Sequence, residues 1–268
     1  YLLLLQAPDI KLLGVGAIDA DGYIDPSVEA CRKMTDLFNL RGDDLTIARS
    51  NSRAVNQFPH EWRMATYSFN YLPMLNESGK IDTQQAKLPA HLDMVEKIKE
   101  ADEPIALVMT GPLTDLARAL DVDPDIEKNI EKLYWMGGSL DGHGNVAMVN
   151  ADGSQEWNSF WDPYAVKRVF ESNIPIQMVG LESTEELPLN DELRQHWASL
   201  RKYPAMDLIG QGYSLIVSIP SAELYLWDVL TTISALYPEV VETETAKARV
   251  ITDGLSAGSF VRDPKGRE

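Results

Sequence analysis

Met136-Gly137-Gly138-Ser139 through Gln155-Glu156-Trp157-Asn158-Ser159-Phe160-Trp161-Asp162-Pro163 is the stretch that decides the fold. Leu133-Tyr134-Trp135-Met136 is an apolar run that stops at two glycines. Asp162-Pro163 has the form of a helix cap and first helical position, since proline there loses no hydrogen bond. Between them runs a long polar loop with Asn145, Asp152, Glu156, Trp157 and Asn158. In proteins that alternate strands and helices, ligands bind outside the carboxyl ends of the strands. Most such loops are solvated excursions, but Glu156-Trp157-Asn158 cannot all face water cheaply, because an indole is large and apolar.

Outward from this stretch, the pattern predicts strand–helix alternation and one α/β domain with a doubly wound, mostly parallel sheet. Tyr1 to Pro8, apolar all round, reads as the last turns of a buried helix. Ile10 to Ile18, Leu45 to Ala48, Pro104 to Met109, Leu133 to Met136 and Ile174 to Leu181 read as buried strands. Asp25-Pro26 opens a helix with Val28, Cys31, Met34, Leu37 and Phe38 on its apolar stripe. Residues 49 to 82 read as irregular, 84 to 100, Leu113 to Leu120 and Pro163 to Phe170 as helices, and 189 to 215 as helical. Ala222 to Leu236 forms a late helix, and Ala246 to Thr252 and Ser259 to Val261 close as short strands.

Composition bounds the function. A net charge of −17 opposes nucleic-acid polymers, whose affinity rests on Lys and Arg meeting phosphate. It suits a neutral small molecule or a hard cation held by carboxylates, and equally mere solubility. The single cysteine, Cys31, excludes an internal disulfide and reads as a structural thiol. No apolar run reaches membrane-spanning length. Thr110-Gly111-Pro112-Leu113-Thr114-Asp115 is a tight strand-to-helix turn, with one glycine and no lysine, and so not a phosphate loop.

Polar and aromatic groups collect at the predicted strand ends: Asp21, Glu61-Trp62, Thr110, and Asn145 with Glu156-Trp157-Asn158. Trp227-Asp228 on the late helix is a further candidate. Singly, Asp21 reads as a cap, Trp62 as a loop anchor, Thr110 as a backbone partner and Trp227 as core. Asp228 fits that bland reading least, because a carboxylate on an apolar helix needs a partner or a metal.

Together these residues resemble the nucleoside hydrolases, the inosine/uridine-preferring N-ribohydrolases. The signatures are Leu5-Gln6-Ala7-Pro8-Asp9-Ile10, Thr110 to Ala117, Met136-Gly137-Gly138, Gly144-Asn145-Val146, Glu156-Trp157-Asn158 and Trp161-Asp162-Pro163, in order across nearly the whole chain. Asp19-Ala20-Asp21, Phe58 to Arg63 and Trp227-Asp228 are most similar to the purine-preferring, inosine–adenosine–guanosine branch.

The resemblance implies hydrolysis of the N-glycosidic bond of purine ribonucleosides around one Ca²⁺. It implies that Asp228 and the Thr110 carbonyl bind that ion. Asn145, Glu156 and Asn158 would hold the ribose, Met136 would line its underside, and Trp62 and Trp227 would stack on the leaving base. Trp62, Trp227 and Asn145 take the catalytic roles, with Asp21, Glu61 and Trp157 at the pocket wall. The family's Asp-rich N-terminal motif, carrying the general base, is expected upstream of Tyr1, and part of the C-terminal portion after Glu268. The competing reading is a ribonucleoside-binding relative that has lost hydrolysis. A homodimer or tetramer is expected, with no membrane partner. The expected compartment is the cytoplasm, with export left open by the upstream segment.

Overall fold

The structure is a computed structural model that describes residues 1–216 and 224–267. In chain order its elements are α1 (Leu2–Gln6), β1 (Val15–Ala17), α2 (Ile24–Phe38), β2 (Thr46–Arg49), α3 (His60–Arg63), α4 (Ala65–Asn70), β3 (Gln84–Gln85), α5 (Ala90–Glu100), β4 (Ile105–Met109) and α6 (Thr114–Val122). The chain continues with β5 (Ile130–Met136), α7 (Trp157–Trp161), α8 (Pro163–Phe170), β6 (Ile176–Val179), α9 (Leu181–Thr184), α10 (Asp191–Ser199), α11 (Pro204–Ser214), α12 (Trp227–Leu236), β7 (Ala248–Val250) and β8 (Phe260–Arg262). The fold is α/β, with mostly parallel sheets flanked by helices.

The parallel strands divide into two three-stranded sheets, β1-β2-β3 and β4-β5-β6, while β7 and β8 pair antiparallel. Helix α5 lies across both parallel sheets. Val95 and Ile98 enter the core of the second, while Lys97 covers Gly14 and donates to Thr46 of the first at 3.1 Å. The main core packs Leu133 and Trp135 of β5 against Leu116 and Leu120 of α6 and Val166 and Val169 of α8, all buried. Register then sets the site's position. Met109 lies beside Trp135, and Met136 beside Val179, so these strands end abreast and the loops after them share one rim. In the other sheet Ala17 lies beside Arg49, which brings residues 18–21 and 50–52 to the ends of their strands.

Several elements differ from the sequence pattern. The strand expected over residues 10–18 shrinks to Val15–Ala17. The expected irregular region 49–82 contains α3, α4 and a 3₁₀ turn at Pro73–Asn76. The helix expected from 84 starts at Ala90, after Gln84–Gln85 pairs with β2. Helical segment 189–215 is two helices, the second beginning at Pro204, whose missing N–H suits a helix start. The start of the late helix at Ala222 lies outside the described residues, and its described part begins at Trp227. Of α1, only Leu5 is fully buried, and Leu37 of α2 is exposed.

Asp162 caps α8 as its sequence suggests, accepting a hydrogen bond from the Ala165 N–H at 3.0 Å ahead of Pro163. Gly138 turns the chain out of β5 with φ at +74°, and a Cβ there would sit 2.7 Å from the Phe260 ring. Gly142 has nearly the same φ, +73°, with nothing within 4 Å. Gly142→Ala is expected to cost about 1 kcal/mol from backbone strain alone. Gly138→Ala is expected to cost about 2–4 kcal/mol, adding overpacking to the same strain. Chemical denaturation of the two variants checks this, and equal losses would contradict it.

Candidate active site

Glu156 organises the rim. It caps α7, and its carboxylate accepts from the backbone N–H groups of Asn158 (2.9 Å), Ser159 (3.0 Å) and Gly138 (2.9 Å). Two of these are orphan donors of a helix start, and the third belongs to the turn after β5. The side chain is only 2% exposed, and burial pushes its pKa up to about 7, against the pull of the three N–H donors. Beside it, the buried Asn158 amide donates to the Met136 carbonyl at 3.1 Å. Asn145 accepts from the Trp157 N–H at 3.2 Å, and its own N–H bonds to the Gln155 carbonyl at 2.9 Å. The polar loop of the opening stretch is therefore folded onto the strand end, with Met136 buried beneath it.

Asp228, in the first turn of α12, is open to solvent yet closely surrounded by protein, as on the floor of a recess. Burial raises its pKa to about 6, while a hydrogen bond with the Thr110 side chain pulls it down. Asp21 is likewise open at its surface and pushed up to about 7, first by burial and then by the charge of Asp228, with Arg63 opposing. The charge of Asp228 also contributes to the rise at Glu156. The charge of Asp228, at the start of α12, thus bears on both Asp21 and Glu156, although among the described residues no three His, Cys, Asp or Glu form a metal-ligand cluster.

Aromatic residues make the adjoining wall. Trp157 is stacked on Phe58 with centroids 4.9 Å apart, and Trp62 meets Trp157 edge-on at 5.3 Å. Arg63 fixes this wall to the Asp21 loop through the Ala20 carbonyl (3.0 Å) and the Asp19 carboxylate (2.6 Å), with its guanidinium over Tyr23. Trp227 meets Tyr225 edge-on at 5.6 Å, so the two expected stacking tryptophans belong to separate aromatic groups. The indole N–H groups of Trp157 and Trp227 are buried without a hydrogen-bond partner among the described residues.

The structure brings Asp21, Thr110, Glu156 and Asp228 together electrostatically, and packs Trp62 with Trp157. Glu61 lies exposed on the first turn of α3. Sequence reasoning missed Tyr213 of α11, whose hydroxyl is pushed up to about 12 by burial and by the charge of Asp228. An amphipathic helix without a motif carries no local sign of such a residue.

Carboxylates, amides and indoles thus collect at the strand ends of an α/β fold. The chain belongs to the inosine–uridine preferring nucleoside hydrolase family, whose model matches residues 1–268. It is 44% identical to the inosine–uridine preferring nucleoside hydrolase from Bacillus anthracis, with a TM-score of 0.94 over 99% of this chain and 86% of that one. It is 33% identical to the non-specific ribonucleoside hydrolase RihC of Salmonella paratyphi A over 70% of this chain and 60% of RihC. With the pyrimidine-specific ribonucleoside hydrolase RihA of Shewanella woodyi it shares 41% identity over 37% of this chain, and the match spans 30% of RihA.

The raised pKa of Asp21 has a consequence for stability. The folded chain holds this proton more tightly than the unfolded one, where the carboxyl titrates near 3.8. Its contribution is therefore complete below pH 3.8 and is lost as pH rises through about 7. In chelator, Asp21→Asn is expected to lose less stability than wild type as pH rises over roughly 4 to 7. Parallel curves of melting temperature against pH would contradict that.

Proposed function

We propose that this protein is a calcium-dependent ribonucleoside N-ribohydrolase that prefers purine nucleosides and releases ribose and free base. The observation that carries the reading is the coupling of Asp228 to Thr110, Asp21 and Glu156, with Trp157, next to Glu156, packed edge-on against Trp62. Family membership supports the reaction class, and the residues assign the parts.

The donor set suits a hard divalent cation. Mutually repelling carboxylates are stabilised by a cation, and oxygen donors such as the Asp228 carboxylate and the Thr110 carbonyl are what calcium takes. When bound, the ion would polarise a water molecule at the anomeric carbon and hold ribose hydroxyls. The chain's own groups then fix the sugar. Asn145 spends its amide oxygen on the Trp157 N–H, which leaves its NH₂ to donate to a hydroxyl. Asn158 spends its NH₂ on Met136, which leaves its amide oxygen to accept. Glu156 keeps acceptor capacity on the oxygen that receives one N–H. Hydrogen bonds that tighten as the sugar gains oxocarbenium character lower the barrier. The resemblance assigns the general base to a segment before Tyr1.

Purine preference rests on Trp62 and Trp227. A purine leaves readily once its ring is protonated, and an indole face favours a cationic ring. Relatives named pyrimidine-specific and non-specific match parts of this chain, and the proposal assigns base choice to these aromatic positions. Homodimer assembly is part of the proposal by family resemblance. Among the described residues no helix is long and apolar enough to cross a membrane.

Stacking on one base is worth about 1–3 kcal/mol, so Trp227→Ala is expected to lower kcat/KM for inosine about 10- to 100-fold with a small change in melting temperature. Equal losses for inosine and uridine, or collapse of the fold, would contradict the stacking role. Asp228→Asn is expected to weaken calcium binding at least about tenfold by calorimetric titration, since carboxylate charge sets calcium affinity. An unchanged titration removes Asp228 from the ligand set.

A further inference from the structure

Thr114 and Asp115, the first two residues of α6, are adjacent, polar and buried, with 7% and 5% of their surfaces exposed. Neither belongs to the recess. Each spends its side chain on a different strand-end loop. The Thr114 hydroxyl donates to the Asp162 carboxylate at 2.8 Å, and the other oxygen of Asp162 caps α8. This bond holds the end of the segment that carries Glu156 and Asn158. One Asp115 oxygen accepts from the hydroxyls of both Ser50 (3.0 Å) and Ser52 (2.8 Å), at the carboxyl end of β2. Arg118, one turn further along α6, donates to Ser52 (2.7 Å) and to the Asn51 side chain (2.6 Å).

The aromatic wall begins just beyond Ser52. Val55 and Asn56 donate their backbone N–H groups to the Trp161 carbonyl at 2.9 and 3.1 Å. Gln57 accepts from the Trp161 indole at 3.0 Å, and Phe58 stacks on Trp157. The same short helix starts a few residues after Thr110, whose side chain bonds to Asp228. The polar and aromatic walls are thus both tethered at the first turn of α6, and the partner of Asp228 lies four residues before it.

We infer that Thr114 and Asp115 are positioning residues, a two-pronged clamp that sets the spacing between the polar and aromatic walls of the recess. The inference rests on the proposed nucleoside site and adds residues that touch neither sugar nor base. Buried hydroxyl–carboxylate bonds suit this role, because in a dry environment they are directional and costly to break. The position of a wall also matters steeply: a displacement of about 1 Å costs up to about 100-fold in rate.

The test compares Thr114→Val and Asp115→Leu with the conservative Thr114→Ser and Asp115→Asn in the full-length protein. An Asn oxygen still accepts from both serines, and a Ser hydroxyl still donates to Asp162. Steady-state hydrolysis of inosine, per folded molecule and well below each melting temperature, is expected to fall at least about tenfold for Val and Leu, mostly in kcat. The Ser and Asn variants are expected to stay within about threefold of wild type. Near-ultraviolet circular dichroism, read without substrate, is expected to lose the signal of the Phe58–Trp157–Trp62 cluster in Asp115→Leu with the far-ultraviolet spectrum unchanged. Wild-type kinetics in Val and Leu variants with merely lowered melting temperatures would overturn the clamp. If wild type hydrolyses no nucleoside, the functional proposal fails, and an unaltered near-ultraviolet spectrum would still overturn the clamp independently.

Discussion

A buried carboxylate with three backbone donors is the constraint on which the site depends. Glu156 closes the start of α7 and at the same time holds the Gly138 turn, so the end of β5 and the start of α7 cannot move apart. Losing it would leave three N–H groups unpaired in the interior, which is costly out of proportion to the bonds themselves. Because the loop is pinned there, Asn145, Asn158 and Trp157 acquire fixed directions, and Met136 is sealed below them. The site is the surface of this pinned loop, with Asp21 brought to its strand end by register and Asp228 by the start of α12.

Electrostatics sets the character of this site. Asp21, Glu156 and Asp228 all titrate well above ordinary carboxylates, because each is desolvated and because the charge of Asp228 falls on the other two. Arg63 offsets only part of the charge, and it does so at Asp21. The strong negative charge of the whole chain is dispersed over solvated side chains and opposes anionic polymers, whereas charge at the recess is concentrated.

Much of this was legible in the sequence wherever local chemistry decides. Asp162-Pro163 reads as cap and first helical turn, and the structure places both so, with a helix over Pro163–Phe170 as expected. The apolar run into Gly137-Gly138 reads as a strand meeting a turn, because a positive φ and the nearby Phe260 ring both call for glycine at 138. Elements held by distant partners were not legible. Helix α3 is a single turn, too short to be stable by propensity, and it is tethered by Arg63 to Asp19 and Ala20 and by His60 to Tyr23. Tyr213 feels the charge of Asp228 from a helix with no motif, and Thr114-Asp115 reads as an ordinary helix start until Ser50, Ser52 and Asp162 are seen across from it.

The most direct measurement of the central claim is the release of hypoxanthine from inosine by the full-length gene product, followed with calcium and with excess chelator. The account predicts stoichiometric release of hypoxanthine and ribose with calcium, abolished by the chelator and restored when calcium is returned. Tight inosine binding without release would mark a receptor built on the same pocket and contradict the hydrolytic account. Neither binding nor release would mean that the tryptophans and carboxylates of the recess are structural.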